Sequence, residues 1–74
     1  MIGCVVVYRK GKQTNVSEPM LPRQANARSY ELAGELASIG VHLRRMHDGA
    51  YSYYGSIKNE RISVTVMPED EVPL

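Results

Sequence analysis

The chain has no tryptophan, no phenylalanine and one cysteine, Cys4. A single thiol cannot close a disulfide within its own chain. The secreted, disulfide-stapled kind of small domain is therefore excluded, and a reducing, cytoplasmic setting is the expectation. No apolar run approaches the roughly 20 residues that a membrane-spanning helix needs. The apolar start from Met1 to Val7 is too short for a signal peptide and has no basic leader. Met1-Ile2 also breaks the myristoylation pattern, which needs glycine directly after methionine. No membrane partner is expected. A large excess of one charge sign is missing too: the net charge is +1, so nothing global argues for nucleic acid. The distribution is less even. Residues 1–47 hold seven Lys/Arg against three Asp/Glu, and residues 48–74 hold two against five.

Constellations that carry chemistry are absent as well. Cys4, His42, His47 and Asp48 are the only candidate metal ligands of the soft or imidazole kind. His42 and His47 lie five apart, so they face opposite sides of a strand and diverge on a helix. No Cys-x-x-Cys or His-x-x-x-His pair occurs. Cys4 falls in an apolar segment, where a packed thiol is expected to be inert. Serines stand at 17, 29, 38, 52, 56 and 63, none of them in a Gly-x-Ser-x-Gly elbow. Glu31 and Glu35 lie four apart, as on the solvated face of a helix. The six glycines do not combine into a phosphate-binding fingerprint. The expectation is a protein that is not an enzyme and takes no metal or cofactor.

What is present is a readable order of elements. Seventy-four residues hold one domain with a modest core. Residues 2–9 are rich in β-favouring valine and apolar on both faces, which suits a strand covered on both sides. Arg9-Lys10-Gly11-Lys12 follows as a basic turn. Residues 13–23 contain Pro19 and Pro22 and read as a loop, with an extended stretch at Thr14-Asn15-Val16. Ala25, Ser29, Leu32, Leu36 and Ile39 then recur at helical spacing. Gln24 or Asn26 can cap the first turn, and Gly40 marks a stop that lets Val41 fold back on Leu36. A rival helix would continue to His47. Gly40-Val41 in its interior and the alternation of Val41 and Leu43 with His42 and Arg44 favour the shorter one. Asp48-Gly49 is a type I′ hairpin signal. Strands are expected at 50–57 and 61–67, joined by Lys58-Asn59-Glu60, with Ile62, Val64 and Val66 pointing inward. Pro68 ends the ladder.

These elements predict an α+β fold, β-α-β-β-β or, with the longer helix, β-α-β-β. One helix covers one face of a small, mostly antiparallel sheet. Residues 1–68 form the domain and 69–74 a short acidic tail. Tyr51, Tyr53 and Tyr54 share one strand. Period two separates Tyr51 and Tyr53 from Tyr54, so one set packs under the helix. The other stands on the open face near Arg44 or Arg45.

Two resemblances bear on function. The run Leu36-Ala37-Ser38-Ile39-Gly40-Val41-His42-Leu43, followed by Asp48-Gly49-Ala50-Tyr51, looks like the helix-to-hairpin half of a sporulation-related repeat (SPOR) domain. That family's second helix has no counterpart here, so its peptidoglycan binding is not carried over. In size and organisation, though not in any motif, the chain is similar to the small phage and mobile-element inhibitors known as anti-CRISPR proteins. That resemblance implies a protein-binding inhibitor that occludes a surface of a host protein or protein complex. Arg44, Arg45, Tyr51, Tyr53 and Tyr54 would then act as anchors, since tyrosine and arginine are enriched at binding hot spots. Asp48, Glu69, Asp70 and Glu71, with Glu60, would mimic phosphate toward a basic partner. The alternative is a single-stranded nucleic-acid-binding domain that uses a Tyr/Arg sheet face together with Arg9, Lys10, Lys12, Arg44 and Arg45. A homodimer through an edge strand or the Ala33/Ala37 face is open to either.

Overall fold

The computed structural model describes residues 3–47 and 51–72. Strand β1 spans Cys4–Lys10, and its valines are buried. Gly11, at φ +60°, turns the chain with Lys12 into β2, Gln13–Val16. Beyond β2 the ladder is continued by Ser17. Its hydroxyl oxygen accepts the Val6 N–H at 2.8 Å, and its own N–H donates to the Val6 carbonyl at 3.0 Å. Met20 exchanges two 2.8 Å backbone bonds with Cys4, which brings the chain back across the end of the sheet.

Helix α1, Pro22–Ser38, starts three residues earlier than the apolar spacing predicts. Proline at the first helical position has no N–H to leave unsatisfied, and the Gln24 side-chain oxygen accepts the Leu21 N–H at 3.2 Å. The helix stops where expected. Gly40, at φ +92°, donates to the Ala37 carbonyl at 3.0 Å, and Val41 donates to that of Leu36 at 2.8 Å. This is the paired bond pattern of a Schellman ending. It excludes the rival helix through His47. Residues 41–43 run without regular structure, and β3 begins only at Arg44, Arg44–His47. Ile39 departs from the expected apolar stripe. It caps the helix outside the last helical turn and is 74 % exposed.

Strand β4 spans Tyr51–Ile57 and β5 spans Glu60–Pro68. They are joined by Lys58 (φ 49°) and Asn59 (φ 68°), two successive left-handed residues as a type I′ turn requires. The Asp48-Gly49 hairpin expectation lies outside the described residues. Glu69–Glu71, at the start of the expected acidic tail, forms one 3-10 turn. The Glu69 N–H donates to the Gly3 carbonyl at 2.9 Å, and its carboxylate accepts the Gly3 N–H at 3.2 Å.

All strand pairs are antiparallel, in the order β2-β1-β5-β4-β3. The α+β class is the one expected, with β2 as an added edge strand. Helix α1 packs across β1, β5 and β4 on one face. The core on that side consists of Val6, Val64, Tyr53 and Ala25, with Cys4, Tyr8, Leu32, Ala33, Leu36, Leu43 and Val66 packed around it. Ser29 reaches into this helix face as well, its hydroxyl donating to the Asn26 carbonyl at 2.7 Å. Gly55 admits the last crossing segment, since a Cβ there would lie 2.6 Å from a methyl carbon of Leu43. Val5 and Val7 point to the opposite face and are also buried, so β1 is covered on both sides. No helix among the described residues is long and apolar enough to cross a membrane.

Candidate binding face

The sheet's register assembles a site from residues far apart in the chain. Arg9 on β1 pairs with Ser63 on β5, Ser63 with Tyr54 on β4, and Tyr54 with Arg44 on β3. These four residues form one row across four strands. Alternation places the row one residue out of step with the core row Tyr8, Val64, Tyr53 and Arg45. The first row therefore faces away from helix α1. Arg61 and its partner Ser56 stand two residues further along β5 and β4, on the same side. Together these six residues line a shallow open depression of about 640 Å³. The three arginines are exposed, and Tyr54 is 44 % exposed.

The surroundings of the row are cationic. Lys10 and Lys12 flank the β1–β2 turn, and Lys58 sits in the β4–β5 turn. Six of the nine Lys/Arg thus gather at one end of the sheet. Glu60 is the carboxylate in the strands at this end. Alternation puts it with Ile62 and Val64 on the helix side, and its Oε2 lies 2.8 Å from where a Gly11 Cβ would be. Arg28, on the helix, is paired at 3.2 Å to Glu31 and at 3.8 Å to Glu35. Among the described residues, no carboxylate pairs with Arg9, Arg44 or Arg61.

The sequence-derived contact residues separate into groups. Arg44 and Tyr54 come together on the open face. Tyr53 does not: it is 5 % exposed beneath the helix, and its buried hydroxyl has no hydrogen-bond partner among the described residues. Arg45 pairs across from Tyr53 and so belongs to the helix side. Tyr51 shares that alternation in β4, and its side chain lies outside what is described, as does all of Asp48. Glu69, Asp70 and Glu71 are at the opposite end of the sheet. The Arg9–Ser63 pair is five residues from the Cys4–Pro68 pair that precedes them, about 16 Å along a strand. Glu69 is further committed to Gly3. The acidic and basic candidates thus cannot serve one small contact. Arg61 was not among the expected contacts. Its outward position in the 61–67 alternation was the available signal, but only the pairing of β1 with β5 places it beside Arg9.

No group of three or more potential metal ligands occurs among the described residues. Cys4 is a free thiol packed against the core. Comparison with protein-family models, curated proteins and solved structures yields no match. The SPOR and anti-CRISPR likenesses therefore remain likenesses of pattern and size.

Proposed function

We propose that this chain is a small, non-enzymatic binding module for single-stranded nucleic acid, and that the helix-free face of its sheet is the contact surface. The observation that carries this reading is the row Arg9–Ser63–Tyr54–Arg44 with Arg61 beside it, three exposed guanidinium groups that pair with no carboxylate among the described residues, around one exposed aromatic ring. Single-strand binders combine a positive track for the phosphates with aromatic rings on which bases stack. Interfaces between proteins are depleted of charge at their centre and seat their anchors in desolvated pockets. This face seats no anchor in a desolvated pocket: it is shallow, and its one aromatic ring is exposed with guanidinium groups around it. Nucleic-acid interfaces are the more polar and the more positive kind. The net charge of +1 concealed this because Glu31 and Glu35 lie on the helix and Glu69, Asp70 and Glu71 at the other end of the sheet. The direct test is a gel shift at low salt with single- and double-stranded oligonucleotides. Salt-sensitive binding of the single strand is expected, and no binding to either would sink the proposal.

The second reading is a protein-binding inhibitor of the phage or mobile-element kind. It is favoured by exposed apolar residues outside the basic row, Tyr30 at 71 % and Ile39 at 74 %. Pull-down from a host lysate compares wild type with Arg44→Glu/Tyr54→Ala and with Tyr30→Ala/Ile39→Ala. A specific partner lost only in the second variant would favour the inhibitor over the nucleic-acid module.

A further inference from the structure

We infer that the open face takes a very short segment, about four nucleotides, laid across the strands, with one base stacked on Tyr54 and flanking phosphates held by Arg9, Arg61 and Arg44. This rests on the nucleic-acid reading above and specifies its footprint and direction.

The footprint follows from the register. Arg9 and Arg44 stand at the two ends of one row, three inter-strand steps apart. At about 4.8 Å per step, their Cα atoms are separated by about 14 Å. A single strand advances by roughly 3.4 Å per nucleotide when stacked and by more when extended. At the stacked rise, about four nucleotides therefore span the distance between these two backbone positions. The direction follows from the same row. The cations are spread across β1, β5, β4 and β3, whereas motion along the strands toward Cys4 and Pro68 leads to Glu69, Asp70 and Glu71. A phosphate backbone is drawn along the row and repelled from the far end of the sheet.

Each side chain has a separable part. Tyr54 offers a ring face with no neighbouring aromatic on its row, so it can hold one base. The Ser56 and Ser63 hydroxyls beside it can donate to phosphate oxygens. The three arginines neutralise phosphates, so the number of counterions released on binding reports how many are engaged. With stacking and phosphate contacts alone, the site does not distinguish ribose from deoxyribose.

The experiment is a fluorescence-anisotropy titration of the intact chain with 5′-labelled oligo-dT of two, four, eight and sixteen nucleotides, repeated with oligo-U and over a range of salt. Affinity is expected to rise up to about four nucleotides and then to grow only with the number of available registers. For three phosphates on a single strand, the slope of log K against log salt is expected near −2, falling by about 0.7 when Arg61→Gln removes one contact. Tyr54→Ala is expected to weaken binding at least about fivefold with the slope unchanged, and Tyr54→Phe to retain it. Affinity that keeps rising to sixteen nucleotides, a slope steeper than about −3, or a sugar preference beyond tenfold would overturn the footprint while leaving the nucleic-acid reading intact. No binding at any length would overturn both.

Discussion

Tyr53 and Tyr54 are adjacent in the chain and occupy opposite environments. Tyr53 is 5 % exposed in a core with Val6, Val64 and Ala25, and Tyr54 is 44 % exposed between Ser63 and Arg44. The contrast extends over the two faces of the sheet. One face is apolar and covered by a helix. At the basic end, the other face is a row of arginine, serine and tyrosine with no helix on it. Under the proposed function, core packing and recognition fall to alternate residues of the same strands at this end of the sheet. In a 74-residue chain this leaves no spare layer of structure between core and contact surface.

The largest test of this division is truncation of each ring. Tyr53→Ala should cost about 3–5 kcal/mol, the range for deleting a buried aromatic, whereas Tyr54→Ala should change stability by about 0.5 kcal/mol or less. Urea denaturation followed by circular dichroism would measure both. Similar losses at the two positions would break the comparison.

A second test acts on the joint that sets which face Arg44 presents. Gly40 adopts φ +92° in the helix ending, so Gly40→Ala should cost about 1–2 kcal/mol. Gly34 is an exposed helical position with open space where a Cβ would be, and Gly34→Ala should stabilise by about 0.5–1 kcal/mol. Thermal melts of the two variants should therefore shift in opposite directions.

The smallest expected effect sharpens the account of the covered face. The Tyr53 hydroxyl is buried without a partner among the described residues, and a buried hydroxyl left unsatisfied costs about 1–3 kcal/mol. Tyr53→Phe should leave stability unchanged or raise it by about 1 kcal/mol. A clear loss would mean that the hydroxyl is bonded in solution, for instance to a buried water.

Much of the covered face was legible in the sequence because local periodicity reports burial. The alternation Ile62, Val64, Val66 located β5, and Ala25, Ser29, Leu32 and Leu36 located the helix face. The Gly40 stop was readable for the same kind of reason, as only glycine enters that backbone region without strain. The open face was legible only in part. Arg44 and Tyr54 are ten residues apart and meet through the antiparallel pairing of β3 with β4, so their proximity could be anticipated. Arg9 and Arg61 are brought together by the pairing of β1 with β5, and no local pattern specifies which distant strands pair. Tyr53 and Tyr54 were assigned to opposite faces by period two, but which of them lay under the helix depended on the Arg45–Tyr53–Val64 register. Glu69 read as part of a free acidic tail because its bond to Gly3 spans 66 positions.

We propose the arginine row of the open face as the contact surface for a nucleic-acid strand. The most direct test compares wild type with Arg9→Glu/Arg44→Glu for binding to labelled oligo-dT at low salt, with circular dichroism verifying that both are folded. Both residues are exposed, so the double variant should fold normally and lose binding at least tenfold. Equal binding by the two proteins would contradict the account, as would no binding by the folded wild type.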